Sequence, residues 1–536
     1  MKKSIISLAI ASLAVLAGCS DFGNLNQDPT KSTDMDPNIL LPNLQAMPTN
    51  DYQEWHRHFM YPGGFVQQWC GDWGTTEYGC LAIKNDSYMG ELWLQRYTRM
   101  SKGLADIVDR TADDPALQNI NAAGRILRVY TYTQLTDLYG DIPYFDAGEG
   151  YYKGILKPAY DKQEDIYDDF FKQLDMADAQ LRTGTDILTY DQYYGGDTEK
   201  WRKYANSLHL RLALRLVKVN PEKAKAEAQK AISNGVMTSV EDLCRIKYEN
   251  VANPSAGPGR GNAVSNRLSA DPHNFRYSRR FIQYLEETGD PRLRILAASY
   301  YNDDLKQDIT DLVYAQKGSY AAMARATDRF DWENYDNDAS NPDPSLQIDV
   351  NGDGVTEEVT PHMQYLQPSA FFYAYDAPYV NMGYAEVELL LAEAALRWGL
   401  GTGTAAEHFE KALAAGVEQM KVYSKDIQPS AASIAAFVAA NPLSANQAEA
   451  LEQINMQIWV GHIFNPFEAF ANWRRTGIPE IVFLNRDPAR NQSGGKTPRR
   501  LLYPVEEQIK NPENYQAAID RVPGYDWTVG VWWDKQ

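Results

Sequence analysis

The segment best equipped by residue type and spacing to do chemistry is Asp349-Val350-Asn351-Gly352-Asp353-Gly354-Val355-Thr356-Glu357. Oxygen-bearing side chains at its first, third and fifth positions, followed by a glycine for the sharp turn, are how a calcium loop begins. A hard cation gathers about six or more oxygens, and Asp349, Asn351, Asp353 and the Val355 carbonyl would supply part of that shell. The twelfth position, where a bidentate glutamate belongs, is Thr360, so Glu357, Glu358 or a distant acid would have to complete it. The competing reading is an Asx-rich turn that holds no metal. The expectation is a structural Ca2+ that braces a long insertion.

A second reactive residue lies near the start. Lys2 and Lys3 precede a largely apolar run, Ile5 to Ala17, which has the length of a signal-peptide core and is too short to span a bilayer. Leu16-Ala17-Gly18-Cys19 follows. Small residues before the cut let a peptidase bind the extended chain, and the cysteine after it offers a thiol for acylation. The pattern reads as a lipoprotein signal over residues 1–18, with Cys19 lipidated at the mature N-terminus. Several acyl chains anchor firmly where one would hold weakly.

Other constellations lead elsewhere. In Trp55-His56-Arg57-His58 the two histidines could face one way, but no third zinc ligand is near. Gly257-Pro258-Gly259-Arg260-Gly261-Asn262 lacks the Lys-Ser/Thr of a phosphate loop. GxSxG and HExxH signatures do not occur. Among 71 acidic residues some pair at glycosidase spacing is inevitable, so a lipid-anchored glycoside hydrolase stays as the alternative reading, beside a helical-repeat adaptor.

Aromatic rings are 12% of the 536 residues, with 34 Tyr and 12 Trp. Trp69-Cys70-Gly71-Asp72-Trp73-Gly74 leads on to Tyr78, Cys80 and Tyr88 among glycines. Rings stacked on sugar faces, with Asp72, Lys84 and Asn85 as polar neighbours, would make a ligand platform of Trp69, Trp73, Tyr78 and Tyr88. The alternative is that these rings pack against helices. Cys70 and Cys80 either close a small disulfide loop or stay as two thiols.

The elements that must carry these residues are mostly helices. Apolar residues recur at helical spacing in 122–139, 163–181, 200–219, 222–233, 384–398 and 405–415. Gly140, Asn220-Pro221, Gly235, Gly399 and Gly416 read as stops. Closely spaced alanines in Ala226 to Gly235 and Phe409 to Gly416 suit paired helices at short range. The fold class expected is mostly α: a tetratricopeptide-like helical-hairpin scaffold without a clean repeat period. Loop-rich insertions are expected at about 248–275 and 299–379, an extended tether up to about Pro48, and no sustained helix between Asp51 and Gly90. The formal charge is −19, and −21 once Lys2 and Lys3 are removed, which argues against nucleic-acid partners.

Leu135-Thr136-Asp137-Leu138-Tyr139-Gly140-Asp141-Ile142-Pro143-Tyr144 resembles the helix-stop motif of the SusD/RagB family of outer-membrane nutrient-capture lipoproteins. Trp201-Arg202-Lys203-Tyr204-Ala205-Asn206-Ser207-Leu208 is similar to the family's next long helix. Gly289-Asp290-Pro291-Arg292-Leu293 and Tyr384 to Ala394 continue the resemblance. So do Asn472-Trp473-Arg474-Arg475-Thr476-Gly477-Ile478-Pro479, Arg500 to Glu507, and the closing Trp532-Trp533-Asp534. The ordered set runs from the lipobox to the last residues. It implies one SusD-like domain over 19–536 that is not an enzyme. It also implies a body anchored at the outer membrane, facing the exterior, that captures oligosaccharides or peptides and serves a SusC-like TonB-dependent barrel. By their own chemistry, Arg474 and Arg475 beside Trp473 should stack and pair with carboxylates in the fold, and Glu386 and Glu393, seven apart on one helix face, should meet basic residues of a neighbouring helix. The final tryptophans should pin the C-terminus.

Overall fold

The computed structural model describes residues 36–535, apart from 52, 55, 72–73, 255–256, 273–274, 303–306, 325–343 and 482–488. Cys19, the signal peptide and Trp73 therefore lie outside the described residues.

Asp36 caps the first helix, α1 (Pro37–Ala46), by accepting the Asn38 amide at 2.9 Å, and Pro37 takes the first turn, where a missing N–H costs nothing. The tether expected up to Pro48 is thus already helical from Pro37 onward. The stretch after it is helical too, against expectation. Residues His56–Gly63 and Thr75–Cys80 form wide π-type turns, which hides them from a search at 3.6-residue spacing. They cross at Gly64 and Gly79, where a Cβ on Gly79 would meet the Met60 carbonyl oxygen at 2.3 Å. Gly79 thus serves helix packing and does not present a loop.

Helices α2 (Asp86–Gln95) and α3 (Ser101–Thr111) lead into the hairpin scaffold. α4 (Gln118–Tyr139) ends at Gly140, whose φ of +86° admits no ordinary side chain and leaves room for Arg500. α5 (Gln163–Thr183), α6 (Thr198–Arg215) and α7 (Pro221–Asn234) pack each on the next. Asp197 and Asn220 cap α6 and α7, and Ala224, Ala228 and Ala231 are fully buried along α7.

Further along come α8 (Ala263–Ala270), α9 (Arg279–Glu287) and α10 (Thr310–Lys317), which lie in or beside the expected insertions. A second hairpin pairs α11 (Tyr384–Trp398) with α12 (Ala405–Glu418). Thr404 and Glu407 close a capping box on α12, but Gly416 does not end it. There a Cβ would come within 3.0 Å of Arg292, so the glycine serves close packing inside the helix. α13 (Ala431–Ala440), α14 (Gln447–Gly461), α15 (Pro466–Thr476) and α16 (Pro512–Asp520) follow toward the C-terminus, and Arg292–Leu296, Pro361–Gln364 and Val505–Lys510 are shorter helical turns. α11 contacts α6 and α14, and α15 contacts α4 and α6, so the two hairpin groups share one core.

Among the described residues the strands form only antiparallel pairs. Trp69–Cys70 pairs with Arg276–Tyr277, and Cys244–Ile246 with Tyr379–Met382, tying the insertions to the body. The buried apolar residues form one connected cluster from Leu41 to Trp533. The fold is mostly α-helical, built of helical hairpins as the sequence indicated.

Candidate ligand-binding site

The four expected platform rings separate. Trp69 is fully buried: its indole N–H donates to the Ile463 carbonyl at 2.8 Å, and its ring packs on Phe59, Tyr277 and Phe464. It is a core residue, because strand pairing with Tyr277 turns it inward, and it contributes no surface to a platform. Trp73 falls outside the described residues. Tyr78 and Tyr88 stay half-buried and meet edge to face, with ring centroids 5.1 Å apart.

These two rings form a small aromatic edge. The His56 ring lies 4.6 Å from Tyr88, and His56 Nδ1 sits 2.7 Å from Glu91. Arg490 reaches Glu77 at 2.6 Å beside Tyr78. Asn85, expected as a polar neighbour, caps α2 by accepting the Tyr88 amide at 3.1 Å. Lys84 bonds Asp526 at 2.8 Å and lies over the Trp527 ring, so it ties down the C-terminal segment. Burial pushes both phenols up, with Glu77 adding to the rise at Tyr78 and Glu91 at Tyr88. Both hydroxyls therefore stay protonated, as donors, at neutral pH. Cys70 and Cys80 are both buried and no disulfide joins them, and burial drives the Cys80 thiol far up.

His56 and His58 are committed to the fold. His58 bonds the Glu54 carbonyl at 3.0 Å and the Tyr379 hydroxyl at 2.9 Å, so the pair does not face a shared ligand.

At the calcium motif a hairpin forms, Leu346–Ile348 against Glu357–Val359. Gly354 makes the sharp turn at φ +86°. The Asp349 carboxylate accepts the amides of Gly352, Asp353 and Gly354 at 2.7, 3.1 and 2.9 Å, and Asp353 accepts the Val355 amide at 2.9 Å. Glu357 turns to the Val350 amide and the Asn351 side chain. The turn has the form of a cation loop, and its Asp349 and Glu357 carboxylates are bonded to backbone amides and to Asn351. Among the described residues no group of three or more His, Cys, Asp or Glu is gathered.

The acids singled out on α11 are structural. Glu386 is bound by Arg211 of α6 at 2.6 and 2.7 Å, and Glu393 by Arg475 of α15 and by Arg397. Burial alone would raise both carboxyls, yet the adjacent guanidinium groups bring them down to about 2. Acids held there cannot serve as general acids near neutrality. Arg474 stacks between Phe470 and Trp533, at 4.1 and 4.7 Å, but gives its hydrogen bonds to the Asp137, Arg499 and Phe470 carbonyls, not to a carboxylate. Trp533 is buried and donates to Asp137 at 2.8 Å, and Asp534 pairs with Arg499, so the C-terminus is pinned as expected.

Sequence reasoning missed a small cleft of about 60 Å3, where the turn after α12 meets the end of α14 and the strand before α11. It is lined by Met382, Gln419, Tyr423, Ile458, Phe464 and Asn465, among others. No local pattern announces it, since its walls come from five separate parts of the chain, around 243, 292–296, 380–389, 412–423 and 457–465.

The family described as "Starch-binding associating with outer membrane", SusD-like, matches residues 29–504. The chain belongs to the SusD-like family. A solved chitin-binding protein is similar at 34% identity and a TM-score of 0.76, covering 94% of this chain and 100% of its own. A Bacteroidetes SusD-like protein is similar at 30% identity and a TM-score of 0.83, with coverage of 94% and 100%. A SusD homologue from Bacteroides fragilis has a TM-score of 0.70 over 93% of this chain and 100% of its own; at 21% identity it speaks for the fold alone. No curated protein matches. Among the described residues no helix is long and apolar enough to cross a membrane.

Proposed function

We propose that this protein is a lipid-anchored, cell-surface glycan-binding protein. It captures oligosaccharides and passes them to a SusC-like TonB-dependent barrel in the outer membrane. The observation that carries the reading is its similarity, over nearly the full length of both chains, to a protein described as chitin-binding. The half-exposed Tyr78–Tyr88 edge supports it, since a ring face with protonated hydroxyls and nearby carboxylates suits sugar recognition. The anchor in this proposal is Cys19. A peptide ligand would use the same rings and is the second arm of the test.

Purified mature protein titrated with chito-oligosaccharides, malto-oligosaccharides and short peptides tests this reading. Saturable binding of one glycan class, with the ligand recovered intact, is the expected result. Cleavage products would favour the hydrolase alternative. Absence of binding to any of the three would favour the helical adaptor.

A calcium ion at the Asp349 loop is a separate proposal. It rests on the spacing of Asp349, Asn351 and Asp353 and on the turn at Gly354, and it requires Glu357 to swing inward.

A further inference from the structure

Asn465 occupies the residue before α15, where asparagine ordinarily caps the helix through its side chain. Here the side chain makes no cap. The next residue, Pro466, has no N–H to satisfy, and the Glu468 amide is taken by the Asn465 backbone carbonyl at 3.1 Å. Asn465 is 5% exposed, yet neither its oxygen nor its nitrogen has a partner among the described residues. The Gln419 carbonyl oxygen, in the lining of the same cleft, is buried and unpartnered as well, beside Gly383, where a Cβ would come within 2.7 Å of it. Buried polar atoms are nearly always paired, so two unpaired groups lining one cleft call for an explanation.

The charges around the cleft are already spent. Arg292 is bound by Asp290 and Gln457, and Glu386 by Arg211, with His462 beside it at 3.6 Å. The two unpartnered lining groups are neutral: one amide that both donates and accepts, and one further acceptor. Leu296, Met382, Ile458 and Phe464 give an apolar side to the wall, beside the polar Asn381 and Tyr423. The volume of about 60 Å3 suits a group of a few heavy atoms.

We propose that this cleft is a binding pocket for a small secondary amide with a methyl-sized end. The ligand C=O accepts from Asn465 Nδ2, its N–H, on the opposite side of the trans amide, donates to Gln419 Oε1, and its methyl group lies against the apolar wall. The acetamido arm of an N-acetylated sugar and an acetylated peptide end share this chemistry. The cleft shares no lining residue with the Tyr78–Tyr88 edge, and the proposal does not rest on glycan capture there.

Calorimetric titration of the mature protein with N-methylacetamide, N-acetylglucosamine, N-acetylalanine methylamide, glucosamine and glucose tests it. N-methylacetamide should bind, and the acetylated probe from the true source should bind at least ten-fold tighter than glucosamine or glucose. Asn465→Leu should fold with an unchanged or raised Tm, because it removes an unpaired buried amide, and should weaken N-methylacetamide at least ten-fold. Gln419→Met gives a second reading if that variant does not fold. Equal binding of amide and non-amide probes, no binding of either, or full retention in both variants would overturn the proposal. Because N-methylacetamide is not a sugar, those outcomes leave the oligosaccharide titration free to succeed or fail by itself.

Discussion

The Arg475 guanidinium donates to both carboxylate oxygens of Glu393, at 2.6 and 2.8 Å, from a position 82 residues further along the chain. Its remaining capacity goes to Asn455 and Asn472, at 3.0 and 2.6 Å for the same nitrogen. The contact joins α11, α14 and α15 in a site from which water is excluded. Removing one partner would leave a buried charge without its counter-ion. Glu393→Gln should therefore cost roughly 3–5 kcal/mol in urea unfolding. A loss under about 1 kcal/mol would mean that the site takes up water or rearranges.

Acid should act through the same groups. Glu54, Glu386 and Glu393 are held at about 2, below an ordinary value of 4.5. A depressed carboxyl contributes stability that is fully present above the unfolded value and is lost as pH falls through the folded one. Unfolding free energy should be flat with respect to these groups above about pH 4.5 and should fall steeply from there toward pH 2. Denaturation series at pH 7, 4 and 3 check this, and Glu393→Gln should show a shallower decline.

Trp69 and Tyr88 should respond in opposite ways. Trp69→Ala empties a fully buried site and should cost about 3–5 kcal/mol. Tyr88→Ala removes a half-exposed ring and should lower glycan affinity about ten-fold, roughly 1.4 kcal/mol, with Tm nearly unchanged. A Tyr88→Ala protein that binds as tightly as the parent would move the glycan site elsewhere on the surface.

Calcium, if it draws Glu357 inward, should make the hairpin at 346–359 more stable. We expect a chelator to lower Tm by a few degrees, added Ca2+ to restore it, and Asp353→Ala to abolish the response. Identical melting with and without chelator would show that the amide bonds to Asp349 are sufficient for the turn.

The anchor is checked by fractionation. Cys19→Ala should shift the protein from membranes to the soluble fraction. Retention in a strain lacking the barrel partner would rule out lipid as the tether.

Much of the scaffold was legible in residue order. The helix over Tyr384–Trp398 has the bounds its periodicity predicts, and Gln163–Thr183 extends its predicted range by two residues. Apolar spacing, caps and stop residues act within a few residues of themselves, so a linear reading captures them. Glu386 and Glu393 were legible as structural acids for a like reason, since their shared helix face follows from spacing, though their partners on α6 and α15 did not. Short-range rules failed where the turn is not 3.6 residues long, as in His56–Gly63, and where a glycine serves a neighbour and not its own backbone, as at Gly416 and Gly79.

What only tertiary structure decided is which side of each ring meets water. Trp69 and Tyr88 belong to one glycine-rich aromatic stretch and look alike as candidates. One is buried because its strand pairs with Tyr277, more than two hundred residues away, and the other stays at the surface because Asn85 starts a helix beneath it. The Asn465 cleft is a product of the same kind: its walls meet only when α11, α12 and α14 pack, and an unpaired amide becomes visible only once every possible partner has a place. Local chemistry chooses the helices. Burial, and with it the choice between core and site, depends on contacts between residues far apart in sequence.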